Sequence, residues 1–511
     1  MNDIKRWPCI LFWISLIALY SYWTWTFQLN DFGGDSAIYL LTAQHWSFFG
    51  GANPAASQFA STSSYPPLYP LLLALFSAGD AWLIAHQVTA LCGVASLFVL
   101  WRCLRVSGLK LADSLFAVAV IAAIPGFYSQ ALYIHSEFLF LLFVSICLYA
   151  VFLLEREAKP SFVVLAALAA AGAYLTRTIG LSIVAALVIY VLLNRPKKEW
   201  PIILILAVGP VWAWIQFGQP PGGGYVAQWT TQLGLIGSPS VTNILATQIA
   251  ALMDGYTQNL AGQGSGNGLF VFLFSVSCLA AWLFRLWQRK LDALFLGAYF
   301  AILLVWPFPA ERVRFLLPAV PILVVQMLLA LHDFKLAHFK QHSNATVRLT
   351  LAVLTITILP SLVLAAQRQF ETMPPEMEGY RRSPEWHGAG NQETRLSAIF
   401  QYQRLQAGFE ELGLHVPIKD CVYSIKPSLV GLFAQRSSYH SPLPDSSLGK
   451  ILDAKTAKCR YTHMVAFSSP TYSDPFYPLS SWHDGIEILH VTHLIAGDKN
   501  GAVIGLLAKI K

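Results

Sequence analysis

Apolar residues in this chain occur in long blocks that are separated by short polar segments. The first block, Cys9–Gln28, is long enough to cross a bilayer as a helix. It follows two basic residues and lacks a small-residue cleavage site, so we expect a retained anchor and not a cleaved signal peptide. Blocks of similar character lie at 81–101, 112–128, 138–154, 161–176, 180–194, 200–217, 269–287, 291–307, 315–331 and 348–366. The pattern predicts a polytopic helical membrane domain, residues 1–366, with about 11 transmembrane helices.

The chain changes character after residue 366, where the long apolar blocks end. A helical pattern covers 393–412, and short runs typical of strands follow it. These runs lie at Cys421–Ile425, Tyr461–Phe467, Ile486–Ile495 and Ala502–Ile510. Residues 367–511 are therefore predicted to form a second, small α/β domain. The length of this segment is normal for one domain.

Composition agrees with a membrane protein. Hydrophobic residues make up 55% of the 511 residues and charged residues only 12%, and the mean hydropathy is +0.53. A soluble domain usually carries about 25% charged residues, so this composition argues against a soluble protein. We attribute the net charge of +7 to membrane topology and a mildly basic tail, and we predict no nucleic-acid partner.

Basic residues predict the orientation, because Lys and Arg beside membrane helices are retained in the cytoplasm. With a cytoplasmic N-terminus, sixteen basic residues fall in predicted cytoplasmic segments of the membrane domain. Only Arg177, Arg312 and Arg314 fall on the opposite face. An odd number of spans then places the C-terminal domain outside the cytoplasm.

The first outer loop, residues 29–80, contains no Lys or Arg. Ser36–Phe49 has the spacing of an amphipathic helix, and Leu68–Phe76 is apolar but too short to span. We expect both to be helices that lie in the membrane interface. Asp35 directly precedes the first of them, so it is either a helix N-cap or a reacting group.

Charged residues collect on the predicted outer face. Glu137 begins one span, Arg177 ends the next, and Glu311, Arg312 and Arg314 lie in a later turn. Each one alone is typical of a charge that reaches from a helix end toward water. Together, three arginines that break the positive-inside pattern indicate a bound anion, and the carboxylates supply candidates for proton transfer.

Five segments in order resemble the GT-C membrane glycosyltransferases: GDSAIY, SYPPLYPLLLALF, HSEFLFLLF, YLTRTIGL and ERVRFLLPAVP. The likeness is to bacterial relatives of protein O-mannosyltransferases and of the lipid A aminoarabinose transferase, and YSIKPSLVGLFAQR is similar to their post-membrane segment. The resemblance implies a sugar donor linked to polyprenyl phosphate, such as undecaprenyl phosphate. It also implies use of that donor at the outer face of a bacterial inner membrane, and an acidic first-loop residue at the reaction centre.

In this sequence that acidic residue is Asp35. The relatives often carry Glu directly after it, whereas this chain has Ser36, so Glu137 becomes the candidate second carboxylate. We predict that Asp35 removes the acceptor's proton in one inverting displacement. Arginine binds phosphate through two parallel hydrogen bonds. The predicted donor-phosphate residues are Arg177, Arg312 and Arg314, and the predicted substrate contacts are Tyr39, Tyr65, Glu311 and Lys426.

The acceptor and the cofactors are predicted only by class, whereas the donor and the site residues are predicted individually. The acceptor is a lipid, a glycan or a protein, and membrane lipids surround the chain. No cofactor is predicted, with a divalent ion at Asp35 and Glu137 as the alternative. Cys421 and Cys459 either form a disulfide in an oxidising compartment or stay as two buried thiols.

Three other functions fit parts of the pattern. A lipid-linked-sugar transporter or flippase is the first, although the chain shows no internal repeat of the kind common in transporters. An inactive scaffold is the second, because Ser36 replaces an acid. The third is transfer of a phosphoethanolamine-type head group, which the lack of a nucleophilic Thr or Ser in a metal cluster argues against.

Overall fold

The computed structural model describes residues 7–31, 34–48, 53–76, 82–195, 199–218, 241–262, 268–306, 311–338, 343–388, 390–440, 458–465, 486–495 and 502–510. The chain folds as two compact units. We name residues 1–26, 64–69 and 86–373 the helical unit, and residues 27–63, 70–85 and 374–511 the sheet unit. Most of the first loop thus shares a unit with the tail, whereas the predicted division at residue 366 groups it with the membrane helices.

The described helices, in chain order, are α1 Trp7–Trp23, α2 Asp35–Trp46, α3 Ala56–Thr62, α4 Leu68–Leu75, α5 Trp82–Val106, α6 Leu111–Ala122, α7 Pro125–Gln130, α8 Glu137–Glu157, α9 Pro160–Thr176, α10 Leu181–Asn194, α11 Trp200–Gly218, α12 Val241–Ala261, α13 Gly268–Trp287, α14 Leu291–Val305, α15 Arg312–Leu316, α16 Ala319–His338, α17 Ser343–Phe370, α18 Pro384–His387, α19 Gln392–His415 and α20 Pro427–Leu429. Helix α11 includes two π-helical stretches. Short 3-10 turns lie at Thr178–Gly180 and Pro375–Tyr380.

The chain is a multi-pass membrane protein. Within the described residues, five helices are long and apolar enough to cross a bilayer, or six if one bent pair is a single span. The bent pair is Val271–Trp287 with Leu291–Val305, at an angle of 117°. Four shorter apolar helices also occur in this part of the chain. Each predicted apolar block coincides with a described helix, but the number of about 11 spans stays a prediction.

A hairpin of α8 and α9 positions the first group of candidate residues. Ala158, in the left-handed conformation (φ 53°), ends α8 and turns the chain back. Helix α9 is rich in buried alanines, and a Cβ at Gly172 would lie 2.7 Å from the Phe143 ring. Small residues allow such close helix packing. The hairpin therefore brings the first residue of α8, Glu137, to the same end as Arg177, which directly follows α9.

A buried ion-pair network fixes the bend between α13 and α14. The Arg285 Nε atom lies 2.6 Å from Asp292 Oδ2, and its Nη1 atom lies 2.8 Å from Asp333 Oδ2. Because Arg285 is 2% exposed, its charge requires a paired carboxylate, which the equally buried Asp292 supplies. This network explains the buried charges at the bend, and we assign it no chemistry.

The sheet unit contains a five-stranded sheet in the order β2-β1-β3-β5-β4. Its strands are β1 Val422–Ser424, β2 Ser438–His440, β3 Tyr461–Val465, β4 Ile486–Ile495 and β5 Ala502–Ile510. Strand β1 pairs in parallel with β2 and β3, whereas β5 is antiparallel to β3 and β4. The small C-terminal sheet is therefore confirmed, although β2 was not predicted. A disulfide of 2.04 Å joins Cys421 and Cys459 at the starts of β1 and β3.

Candidate functional site

One buried carboxylate lies at the end of the α8–α9 hairpin. The Glu137 side chain is 1% exposed, and its Oε1 atom lies 2.6 Å from Nη1 of Arg177. The same nitrogen of Arg177 donates to Ser136 Oγ at 3.1 Å. The backbone of Arg177 is extended (φ −150°), so the helix ends there and the side chain can reach the start of α8.

A second arginine approaches the same oxygen from α15. The Arg314 Nε atom donates to Glu137 Oε1, and its Nη1 atom lies 3.5 Å from Glu311 Oε2. The guanidinium carbons of Arg177 and Arg314 lie 5.1 and 5.8 Å from the ring centroid of Phe315. The aromatic ring, the carboxylate and the two cations together form what we call the arginine cluster: Glu137, Arg177, Arg314 and Phe315.

The arginine cluster is positive overall. Two guanidinium groups share one buried carboxylate, whereas the more distant Glu311 side chain is 45% exposed. The side chains of Arg177 and Arg314 are 11% and 12% exposed, so each retains a small accessible surface. Glu137 Oε2 has no hydrogen-bond partner among the described residues. A partly accessible, positively charged cluster of this kind favours binding of an anion.

Arg312 is more deeply buried than its neighbour Arg314. Its Nη2 atom donates to Gln248 Oε1 and, at 2.7 Å, to the carbonyl of Trp306. Its Nε and Nη1 atoms have no acceptor among the described residues. The undescribed segment just before it, 307–310, contains no Asp or Glu. Arg312 is therefore a buried cation whose described hydrogen-bond partners are neutral, an arrangement that is costly without a bound anion.

The sheet unit holds three further candidate residues, Asp35, Tyr39 and Lys426. The N-cap of α2 is Gly34 (φ 105°), and Asp35 is the first helical residue. Asp31 Oδ2 accepts hydrogen bonds from the Ser36 amide at 3.1 Å and the Ser36 hydroxyl at 2.8 Å. Asp31 thus bonds the start of the helix, and the N-cap residue is Gly34, whereas one interpretation of the sequence gave that position to Asp35.

This geometry also gives Ser36 a structural role. Its hydroxyl is buried and bonded to Asp31, so this position supports the turn before α2.

Tyr39 lies one turn along α2 and is 2% exposed. Lys426 is the N-cap of α20, two residues before Ser428, whose hydroxyl donates to Gly34 O at 3.2 Å.

The structure brings together some predicted residues and separates others. Glu137, Arg177 and Arg314 meet in the arginine cluster of the helical unit, and the more exposed Glu311 contacts Arg314 from its edge. Arg312 has a separate set of contacts there, and Tyr65 lies half-buried before α4. Asp35, Tyr39 and Lys426 belong to the sheet unit. Among the described residues, no three potential metal-ligating side chains of His, Cys, Asp or Glu form a group.

Sequence reasoning missed the contacts of three polar residues at these places: Asp31, Gln248 and Ser428. Asp31 could have been recognised, because an acidic residue five positions before Ser36 is within reach of a helix start. The amide and hydroxyl side chains give no comparable signal, because their partners are distant in the sequence.

Comparison with known proteins establishes the fold. No protein-family model matches the chain, and no curated protein matches it significantly. The crystal structure of ArnT from Cupriavidus metallidurans bound to undecaprenyl phosphate covers 98% of this chain and 97% of its own length, with a TM-score of 0.52 and 14% identity. The apo form of the same protein covers 99% and 98%, with a TM-score of 0.53 and 13% identity.

A further similar structure is the oligosaccharyltransferase AglB from Archaeoglobus fulgidus, with an inhibitory peptide and a dolichol-phosphate. It covers 91% of this chain and 70% of its own, with a TM-score of 0.47 and 13% identity. The predicted resemblance is confirmed: this chain has a GT-C-like fold.

Proposed function

We propose that this chain is a membrane glycosyltransferase that moves a sugar from a polyprenyl-phosphate donor to an acceptor hydroxyl. The observation that carries the proposal is the arginine cluster, in which two partly accessible arginines share one buried carboxylate. The GT-C-like fold supports the same class, because ArnT, which shares it, was solved with undecaprenyl phosphate. The orientation predicted from basic residues favours the outer face of the membrane for this reaction, and the resemblance implies a bacterial inner membrane.

The arginines supply the charge that the leaving group requires. When the bond between the anomeric carbon and the phosphate oxygen breaks, the lipid phosphate takes the electron pair and becomes more negative. Arg177 and Arg314 stabilise that developing charge. Arg312 adds to the positive potential from a buried position, and binding of an anion nearby would compensate its charge.

Asp35 acts as the general base. The acceptor oxygen attacks the anomeric carbon from the face opposite the phosphate, its proton passes to the Asp35 carboxylate, and the configuration inverts. The contacts of Asp31 with Ser36 hold the backbone next to Asp35. A general base of this kind contributes about 10²–10⁴-fold to rate.

Glu137 has a different role from the base. Its Oε1 atom accepts from both arginines, so it fixes their guanidinium groups in one orientation before the donor binds. We therefore assign Glu137 to the arrangement of the phosphate-binding arginines. Tyr39, Tyr65, Glu311 and Lys426 stay predicted substrate contacts.

Binding of undecaprenyl phosphate tests the phosphate site without knowledge of the sugar. We expect the purified full chain in detergent to bind undecaprenyl phosphate in a thermal-shift titration and to ignore undecaprenol, which lacks the phosphate. Arg177→Gln should weaken binding by roughly tenfold, the loss of one charge-assisted contact. Arg156→Gln, an exposed arginine bonded to the carbonyl of Val106, is the matched control. Equal binding of the phosphate and the alcohol would refute the phosphate site.

A further inference from the structure

A segment of the tail holds the loop that carries Asp35. We name residues 427–440 the clamp segment; it comprises α20, a π-helical turn at Val430–Ala434, and β2. Its Ser428 is buried, and the Ser428 hydroxyl donates to the carbonyl of Gly34 at 3.2 Å. The contact joins residues that are 394 positions apart in the sequence. The residue after Gly34 is Asp35, so the contact lies one residue from the proposed base.

Two amide side chains strengthen the attachment. Asn53 Nδ2 donates to the carbonyl of Gly431 at 3.2 Å. Gln58 bonds both backbone groups of Ser438: its Nε2 atom donates to the carbonyl at 2.6 Å, and its Oε1 atom accepts from the amide at 3.2 Å. Both side chains come from the first loop and both partners from the clamp segment, so these bonds set the register between the two.

Close packing fixes the same register. A Cβ added to Gly431 would lie 2.5 Å from the Phe59 ring and 3.2 Å from Leu41 Cδ1. Contacts under 3.0 Å require an atom to shift. Because Leu41 belongs to α2 and Phe59 to α3, the clamp segment packs directly against both helices of the first loop.

The carbonyl that Ser428 contacts also begins α2. Gly34 O accepts the first helical hydrogen bond from the Ile38 amide at 3.1 Å. The peptide between Gly34 and Asp35 is thus held from two sides, by its own helix and by Ser428. With φ at 105°, Gly34 also makes the chain turn sharply just before Asp35. The orientation of this peptide determines where the Asp35 side chain starts.

We infer that Ser428 is a positioning residue for Asp35, and that the tail therefore orients the reacting group of the first loop. This inference rests on the proposed function, in which Asp35 is the base. Ser428 does not itself exchange a proton with substrate; it acts by fixing the Gly34–Asp35 peptide. The hydroxyl is the group that matters, so a threonine at this position should retain the effect.

The test compares Ser428→Ala, Ser428→Thr and Ser383→Ala. Ser383 is an equally buried serine of the sheet unit whose hydroxyl accepts from the Trp386 amide within the same short turn. Transfer is measured with radiolabelled undecaprenyl-phosphate-linked hexoses and pentoses. We expect Ser428→Ala to lower kcat by roughly two- to tenfold, the value of one hydrogen bond, with KM unchanged within twofold. Ser428→Thr and Ser383→Ala should stay near wild type.

Hydrogen exchange provides a readout that does not need turnover. In Ser428→Ala, the Ile38 amide should exchange faster, whereas the amides of α19 should keep their wild-type rates. If Ser428→Ala behaves like Ser383→Ala in both kcat and exchange, the positioning role is wrong. If exchange changes as expected but Asp35→Asn transfers sugar as well as wild type, the positioning contact stands and the proposed base fails.

Discussion

Glu137 compensates one of the two positive charges in the arginine cluster. Removing one partner of a buried ion pair leaves an uncompensated charge, which costs about 3–5 kcal/mol. We therefore expect Glu137→Gln to lower the free energy of unfolding by about that amount, because Arg177 and Arg314 would both lose the buried negative charge that they share. Thermal unfolding of the detergent-purified variant measures the effect.

Glu311→Gln is the matched control for that measurement. Its side chain is 45% exposed and lies 3.5 Å from Arg314, so we expect a change of about 1 kcal/mol or less. The double variant Glu137→Gln with Arg177→Gln should recover part of the lost stability, because one uncompensated positive charge is removed. Equal destabilisation by Glu137→Gln and Glu311→Gln would contradict the assignment of Glu137 as the common acceptor.

For individual residues, the sequence revealed which residue types are candidates for the site but not which residues they contact. The arginines could be singled out because they break the positive-inside pattern. Their convergence on Glu137 depends on the turn at Ala158 and on the approach of α15, neither of which leaves a local signal. Asp35 was recognisable from GDSAIY, whereas the helix-start contact of Asp31 appeared only in the structure.

The start of α2 is the element on which the proposed base depends. Gly34 adopts φ 105°, and a Cβ there would lie 2.9 Å from Ser428 Oγ. An L-residue in the left-handed region costs about 1–2 kcal/mol. We expect Gly34→Ala to lower stability by about that amount and also to reduce transfer, because the Asp35 peptide must move. Activity per folded molecule, measured beside thermal unfolding, separates the two effects.

Gly390→Ala is the control for this element. Gly390 has a similar φ of 104° near the start of α19, and its added Cβ would lie 3.1 Å from the Thr394 side chain. Gly390→Ala should lose about as much stability as Gly34→Ala but keep the wild-type transfer activity per folded molecule. A loss of activity as large as that of Gly34→Ala would show that general strain, and not the start of α2, explains the result.

Helices were predictable because long apolar blocks leave few alternatives in a membrane. The short elements α3 and β2 were not predicted, because three to seven residues give little periodic signal. The predicted amphipathic face of α2 also differs from the structure, which buries most residues from Ser36 to Gln44 and leaves His45 exposed. The clamp segment packs against α2, which explains part of this additional burial.

For the whole molecule, the first loop and the tail form one unit although hundreds of residues separate them. The bond from Asn53 to Gly431 spans 378 positions, and the bond from Gln58 to Ser438 spans 380. No property of either segment alone predicts this pairing, since it depends on the path of all the intervening helices. The GT-C-like fold was predictable from the ordered motifs.

The disulfide between Cys421 and Cys459 secures the sheet of this unit. It closes a loop with a sequence separation of 38, for which chain entropy predicts roughly 2–4 kcal/mol of stabilisation. We expect the double variant Cys421→Ser and Cys459→Ser to lower the unfolding temperature of the sheet unit. Dithiothreitol should lower it in wild type and leave the double variant unchanged. An effect of dithiothreitol on both proteins would contradict this account.

The most direct test of the central claim is sugar transfer by membranes that contain wild type, Asp35→Asn or Asp31→Asn at equal levels. The donors are radiolabelled undecaprenyl-phosphate-linked hexoses and pentoses, with endogenous acceptors present. We expect transfer by wild type and by Asp31→Asn, which keeps an acceptor for Ser36, and a loss of roughly 10²-fold or more in Asp35→Asn. Wild-type transfer by Asp35→Asn would contradict the assignment of the base, and the absence of transfer from every donor would contradict the proposed reaction.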